Sequence, residues 1–181
     1  KALAYEKGDG SAENPYIIYN ESQLNHIRYC QDNYFKLGCD INLTSEWTPI
    51  NASGGYFGCL DGNGYSINNL NIVSDKTNVG LFSVLNGGII KNLKIKGNIK
   101  AASNAGLLVG RLENGSVSGC AAIGTVIATA SNAGGIAGVN NGTLENSLFA
   151  GEYVSAAANA GGIAGSVAEK GSIKSCISAS A

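Results

Sequence analysis

From Val79 onward the apolar residues come in short runs cut by Gly or Asn, too short and too Gly-rich for helices of about 10 residues or more. Four segments superimpose: Val79-Gly80-Leu81-Phe82, Ala105-Gly106-Leu107-Leu108, Ala133-Gly134-Gly135-Ile136 and Ala160-Gly161-Gly162-Ile163, at intervals of 26, 28 and 27 residues. A second match follows each after a short turn: Ile90 to Leu93, Val117 to Cys120, Leu144 to Ser147 and Ile173 to Cys176. A looser unit over Gly54 to Asn78 precedes them. Repeats of this kind predict a triangular parallel solenoid with three strands per rung of about 27 residues, each rung stacked about 4.8 Å above the last. Ile90 and Leu93 are three apart, so both face inward only if the chain bends between them. Asn92 and Asn146 suit that bend because Asn tolerates a left-handed backbone.

The first 50 residues read differently, holding 5 of the 8 Tyr, the only Trp and the only His. Pro15 to Tyr19 predicts a strand. Asn20 with Gln23 forms a capping box for a helix over about Glu21 to Gln31, with Leu24, Ile27 and Cys30 on one face. Phe35, Leu37, Cys39, Ile41 and Leu43 alternate with polar residues or Gly, the period of a half-buried strand. The division is residues 1–50 as an N-terminal α/β capping segment with one helix, then residues 51–181 as β-solenoid rungs, the last incomplete. That last repeat, from Ala160, has no third strand before Ala181, which predicts an open apolar edge able to associate with another molecule or with further chain.

Composition narrows the function classes. With 12 basic against 13 acidic residues, the formal net charge of −1 supplies no global field for nucleic acid. No apolar stretch approaches the roughly 20 residues of a membrane-spanning helix. The chain opens at Lys1 without Met, so its N-terminus carries no targeting information. Five Cys without a C-x-x-C pair argue against a zinc site or a complete disulfide framework. Cys120 and Cys176 fall in one inward column two rungs apart, about 10 Å, too far for a disulfide, whereas Cys30 and Cys39 could approach.

These residues resemble the GLUG-motif proteins, bacterial cell-surface and secreted proteins that include non-catalytic flanks of some immunoglobulin A-cleaving metallopeptidases. The resemblance rests on Glu13 to Ile18, Tyr34 to Leu37 with Asp40 to Leu43, Trp47 to Ile50, Phe57-Gly58 with Leu60 to Gly64, and the Gly-rich repeats. It implies an all-β, right-handed parallel β-helix on an exported multidomain protein, extracellular or at the cell surface. It brings no catalytic residues, and the protease's zinc motif is absent from this chain.

Candidate chemistry is sparse. His26 has no ligand partner and reads as a solvated surface residue. Asp61-Gly62-Asn63-Gly64 reads as a tight turn, since the later ligands of a calcium loop are missing. The Gly-rich starts lack the Lys-Ser/Thr pair and the helix of a nucleotide loop, and only Thr125 and Thr129 fall near an ice-binding column. From Val79 onward the acids are Glu113, Glu145, Glu152 and Glu169, a thin basis for the paired carboxylates of a polysaccharide lyase or glycosidase. Five Asn-x-Ser/Thr triplets, at Asn20, Asn42, Asn51, Asn114 and Asn141, read as accidental in an Asn-rich solenoid.

Two surfaces stand out. Lys91, Lys94, Lys96 and Lys100 gather on one rung, either as a strip for a sulfated or sialylated glycan or as ordinary solubilising charge. In the first strand of each repeat Phe82, Leu108, Ile136 and Ile163 form the core column. The opposite parity, including Leu81, Leu107, Val109, Ala133, Ala137, Ala160 and Ala164, carries no charge. That parity is either a free contact face or a face already covered by the chain itself, most plausibly by the N-terminal cap. The expected function is a non-enzymatic module of a larger exported surface protein, acting as spacer and adhesive surface toward a host or matrix glycan or protein, without cofactor or metal. The alternatives are a carbohydrate-active β-helix enzyme and a purely structural protease flank.

Overall fold

Parallel pairing begins well before the visible repeats. In the computed structural model, which describes residues 5–50 and 54–180, β1 (Tyr16–Ile18) is followed by α1 (Glu21–His26), a 3₁₀ turn (Ile27–Tyr29), β2 (Tyr34–Leu37) and β3 (Ile41–Asn42). The next strands are β4 (Cys59–Asp61), β5 (Ser66–Val73), β6 (Thr77–Val79), β7 (Phe82–Asn86), β8 (Ile89–Lys91) and β9 (Lys94–Ala105). The long strands β10 (Val109–Ser118), β11 (Ala121–Gly134) and β12 (Ala137–Glu145) follow, then β13 (Leu148–Gly151), β14 (Tyr153–Gly161), β15 (Ala164–Val167), β16 (Ser172–Lys174) and β17 (Ile177–Ser180). The triplet Asn51-Ala52-Ser53 and Ala181 lie outside the described residues.

The ladders form two parallel sheets. Sheet A runs β1-β2-β4-β8-β10-β12-β15, with β7 also on β10 and β16 on β12; sheet B runs β3-β5-β9-β11-β13-β17, with β6 on β9 and β14 on β11. A full rung such as β10 with β11 is therefore two long strands, each bent where its register shifts, at Glu113/Ser116 and at Ala128/Ser131. The three flat segments expected per rung merge into two ladders because a bulge bends a strand without ending its hydrogen bonding.

The repeat alignment is the observed register. Val79 pairs with Ala105, Ala105 with Ala133 and Ala133 with Ala160. Likewise Ile90, Val117, Leu144 and Ile173 stand in one column. Corners are made by residues with positive φ: Asn92 at 52°, Gly119 at 62°, Asn146 at 49° and Ser175 at 51°. A second corner carries Asn78, Asn104, Asn132 and Asn159, also at positive φ. There the amides of Asn104, Asn132 and Asn159 each donate to the Oδ1 one rung earlier, at 2.8, 2.8 and 2.9 Å. This ladder satisfies side chains that the tight corner leaves beside one another, and it ties four rungs with one residue type.

The N-terminal segment caps the stack with its helix while its strands already pair with the rungs. Asn20 Oδ1 accepts from the Gln23 N–H at 2.9 Å, and Gln23 Oε1 accepts from the Tyr19 N–H at 2.7 Å, one residue before the position of an ideal capping box. Leu24 and Ile27 are fully buried in the same core as Ile18 and Leu37. The helix is shorter than its periodicity predicts. Its end tightens into i→i+3 bonding, with the Cys30 N–H donating to Ile27 O at 2.8 Å, which turns the chain back toward β2. The half-buried strand expected over Phe35 to Leu43 keeps its alternation but breaks at Gly38 into β2 and β3, in different sheets. A Cβ at Gly38 would lie 2.3 Å from Tyr19 Cε1, so the corner requires Gly.

His26 is half-buried rather than surface-solvated. Its ring centroid lies 6.0 Å from Tyr5 and 5.3 Å from Tyr29, because the N-terminal strap returns Tyr5 onto Tyr16 and Phe35.

Candidate binding surface

The uncharged parity of the repeat starts is not a free face. Leu81, Leu107, Val109, Ala133 and Ala137 are essentially inaccessible, as are Phe82, Leu108 and Ile136 of the opposite parity. The expectation of an open contact face there is corrected by the path of the chain, which turns at Gly80-Leu81, at residues 106–108 and at Gly135-Ile136 rather than continuing as one strand. Alternation of sides holds within a strand; at a corner, neighbouring residues both point toward the axis. The cover is the solenoid's own interior and not the N-terminal cap alone, since these residues belong to one core with Ile95, Val126 and Phe149. Ala160 is exposed and Ala164 half-buried only because they lie on the last rung.

That last rung is open among the described residues. Ile163 and Cys176 are only half-buried where their equivalents Ile136 and Ser147 are fully covered, and Val167, Ile173 and Ile177 are exposed.

The structure divides the four lysines. Lys94, Lys96 and Lys100 are exposed on the outer side of β9, alternating with buried Ile95, Ile99 and Ala101. Lys91 stands across a corner on sheet A, where its Nζ lies 3.6 Å from Asp61 Oδ2. It belongs to a column of alternating sign that runs Lys36, Asp61, Lys91, Ser118, Glu145, Lys174 through successive rungs. Sequence reasoning grouped Lys91 with the others by counting charges along the rung, although the bend expected at Asn92 already separated them.

The remaining ionisable groups are structural. Asp61 Oδ1 accepts from the Asn63 N–H at 2.8 Å, and Asn63 and Gly64 both take positive φ in a turn closed by the Tyr65 N–H on Gly62 O. This is the expected tight turn. Glu113 accepts from Arg111 Nε at 2.8 Å and from Asn141 Nδ2 at 3.0 Å, and the Arg111 hydrogen bond, ahead of other causes, holds its carboxyl below the ordinary value. Glu21 is likewise lowered, first by the Thr44 hydroxyl. All five cysteines are free thiols, including Cys30 and Cys39, and burial pushes the Cys120 thiol up to about 12. Among the described residues no three His, Cys, Asp or Glu side chains cluster as a metal site, and no helix is long and apolar enough to cross a membrane.

Several recesses mark the described surface, two of them beside the features above. A cleft of about 450 Å³ opens beside Trp47, Val73, Lys76 and Asn78 where the loop before Ile50 leaves β6 unpaired on one side. A groove of about 440 Å³ crosses sheet B at Asn71, Lys96, Asn98, Gly124 and Glu152. Its floor is backbone: a Cβ on Gly124 would fall 1.7 Å from Gly97 O, and one on Gly97 would fall 2.1 Å from Leu70 O.

Comparison with known proteins agrees with this architecture. Residues 101–127 match the GLUG motif, one rung long. A protein of Evansella cellulosilytica provisionally named a Gly-rich membrane protein is 36% identical over 117 residues, covering 58% of this chain and 14% of the relative. Halomucin of Haloquadratum walsbyi is 31% identical over 147 residues, covering 72% of this chain and 2% of the relative. This chain thus spans only a small part of either protein's length. A crystal structure from Bacteroides ovatus, provisionally named an immunoglobulin A1 protease, superimposes with a TM-score of 0.71 at 22% identity, over 93% of this chain and 66% of that one. The register, the rung length and the matched motif together show a parallel β-solenoid that carries the GLUG motif on one rung.

Proposed function

We propose that this non-catalytic solenoid module works in a larger exported bacterial surface protein as a stiff spacer that also presents an adhesive face. The observation that supports this reading is continuous parallel stacking: the seven strands along sheet A rise about 30 Å at 4.8 Å per rung. The exposed apolar residues of sheet B supply a surface on that stack. The small share of each relative that the chain spans accords with one module among several, and the open last rung accords with a further rung or a partner edge stacking on it.

A second reading, a structural flank of a surface protease, draws on the protease name of the Bacteroides ovatus protein. The two separate in a binding assay of the folded module on immobilised polysaccharides and matrix proteins, paired with small-angle scattering. Retention on at least one surface by a monomer is expected. A module that binds nothing leaves the flank reading, and scattering that excludes a stacked height of about 30 Å overturns the spacer.

A further inference from the structure

The outer side of sheet B changes chemistry from rung to rung in a fixed order. Strand β5 presents amides, with Asn71 one rung before Asn98 of β9. Strand β9 presents Lys94, Lys96 and Lys100. Beyond them, Lys96 is followed in register by Ile123, Lys100 by Ile127, and Asn98 by Thr125 and then Tyr153. Ile123 is 38% and Tyr153 55% exposed. A row of cations thus lies between an amide terrace and an apolar one.

None of the three lysines makes an ion pair among the described residues. The carboxylates nearest in register stand at the margins. Asp40 already accepts from the Ser66 N–H at 2.7 Å, and Glu152 sits in the groove with Lys96 and Asn98. An exposed sheet face normally sets polar groups outward, so exposed Ile123 and half-buried Ile127 one rung beyond uncompensated cations, with exposed Leu148 and Tyr153 a further rung on, suit a complementary ligand. That ligand offers anionic groups, hydroxyls for the amides and apolar ring faces for the terrace, which together describe an acidic saccharide.

Charge spacing selects among acidic saccharides. Along a strand, Lys94 and Lys96 are about 7 Å apart and Lys96 and Lys100 about 13 Å apart. Three cations so spread suit one carboxylate on every one or two sugars and not dense sulfation. We infer that this face binds a linear uronic-acid polysaccharide lying along β9, its carboxylates on Lys94, Lys96 and Lys100, its ring faces on Ile123 and Tyr153, and its hydroxyls on Asn71 and Asn98. The inference rests on the adhesive reading and supplies its ligand class and site.

The test titrates hyaluronate oligosaccharides, which carry one carboxylate per disaccharide, into the folded chain, with heparin and neutral dextran as comparison arms. The variants are Tyr153→Ala and the triple Lys94→Gln, Lys96→Gln, Lys100→Gln. These side chains are exposed, so thermal melts are expected to stay unchanged. Hyaluronate binding is expected to weaken about tenfold in the triple variant, from three exposed ion pairs of a few tenths of a kcal/mol each, and several-fold in Tyr153→Ala. It is also expected to fall as salt rises, and dextran is expected not to bind. Hyaluronate binding that ignores the triple substitution overturns this face while leaving the adhesive reading intact. Heparin preferred over hyaluronate overturns the reading of sparse carboxylate charge, since heparin carries dense sulfate beside its uronates, and the absence of hyaluronate binding overturns the uronate assignment. Failure to bind any glycan or matrix protein removes the adhesive reading as well.

Discussion

Asn104 joins two stabilising devices that substitution can separate. Its backbone sits at φ 53°, a conformation that costs an Ala about 1–2 kcal/mol and a Gly almost nothing. Its amide donates to Asn78 Oδ1 and accepts from Asn132 Nδ2, both at 2.8 Å, each bond contributing about 1 kcal/mol net. The site is half-buried, so water replaces the lost partners and no further desolvation penalty is expected. Asn104→Ala is then destabilised by about 3.5 kcal/mol. Asn104→Gly loses about 2.5 kcal/mol, two hydrogen bonds plus about 0.5 kcal/mol for the freer unfolded chain. Urea denaturation followed by circular dichroism measures both, and melting temperatures are expected to fall by about 10 °C and about 7 °C, at 2–4 °C per kcal/mol for a chain this long. Asn104→Asp adds a signed pH test. The Asp can still accept from Asn132, but only its protonated form can donate to Asn78, so its folded pKa is raised above the unfolded value of about 3.9. Its stability is present below that value and lost as pH rises through the folded pKa. The argument fails if Gly is as damaging as Ala, if both stay within about 0.5 kcal/mol of the wild type, or if Asp is less stable at pH 3 than at pH 7.

Further outcomes follow from the core and the thiols. Leu107→Lys, at a fully buried corner, is expected to lose several kcal/mol in the same denaturation assay, and a change below about 1 kcal/mol would return that corner to the surface. Gly151→Ala would set a Cβ 1.8 Å from Phe149 Cζ and is expected to cost at least about 1–3 kcal/mol by overpacking, seen as a lowered urea midpoint. In native alkylation at pH 8 read by mass spectrometry, half-buried Cys176 is expected to label while Cys120, with its thiol at about 12, is spared; a Cys120–Cys176 crosslink would contradict the register. The lowered carboxyl of Glu113 contributes stability that is present above its ordinary value of 4.5 and lost as pH falls through the folded pKa. Glu113→Gln is therefore expected to flatten the acid limb of the stability profile, measured by urea midpoints between pH 3 and pH 6.

The rung was legible in the sequence because parallel stacking copies each position onto its equivalent. Val79, Ala105, Ala133 and Ala160 repeat for the same reason that they pair, and the corner Asn residues repeat because only a few residue types accept positive φ. What a repeat does not encode is which way a corner turns its neighbours. Alternation assigned Leu81, Leu107 and Ala137 to the outside, yet they are buried, because the period-two rule presumes an unbroken strand, whereas Leu81 and Leu107 stand at bends and Ala137 follows one. The bend expected at Asn92 already divides the lysines, and the structure adds where each part goes: three stand on sheet B and one, paired with Asp61, on sheet A. The amide, lysine and apolar terraces assemble side chains from four successive rungs, about 27 residues apart in sequence and about 4.8 Å apart in space. Their adjacency is a property of the stacking register, which side-chain packing and the bulges in each rung set together, and so only the tertiary structure decided it.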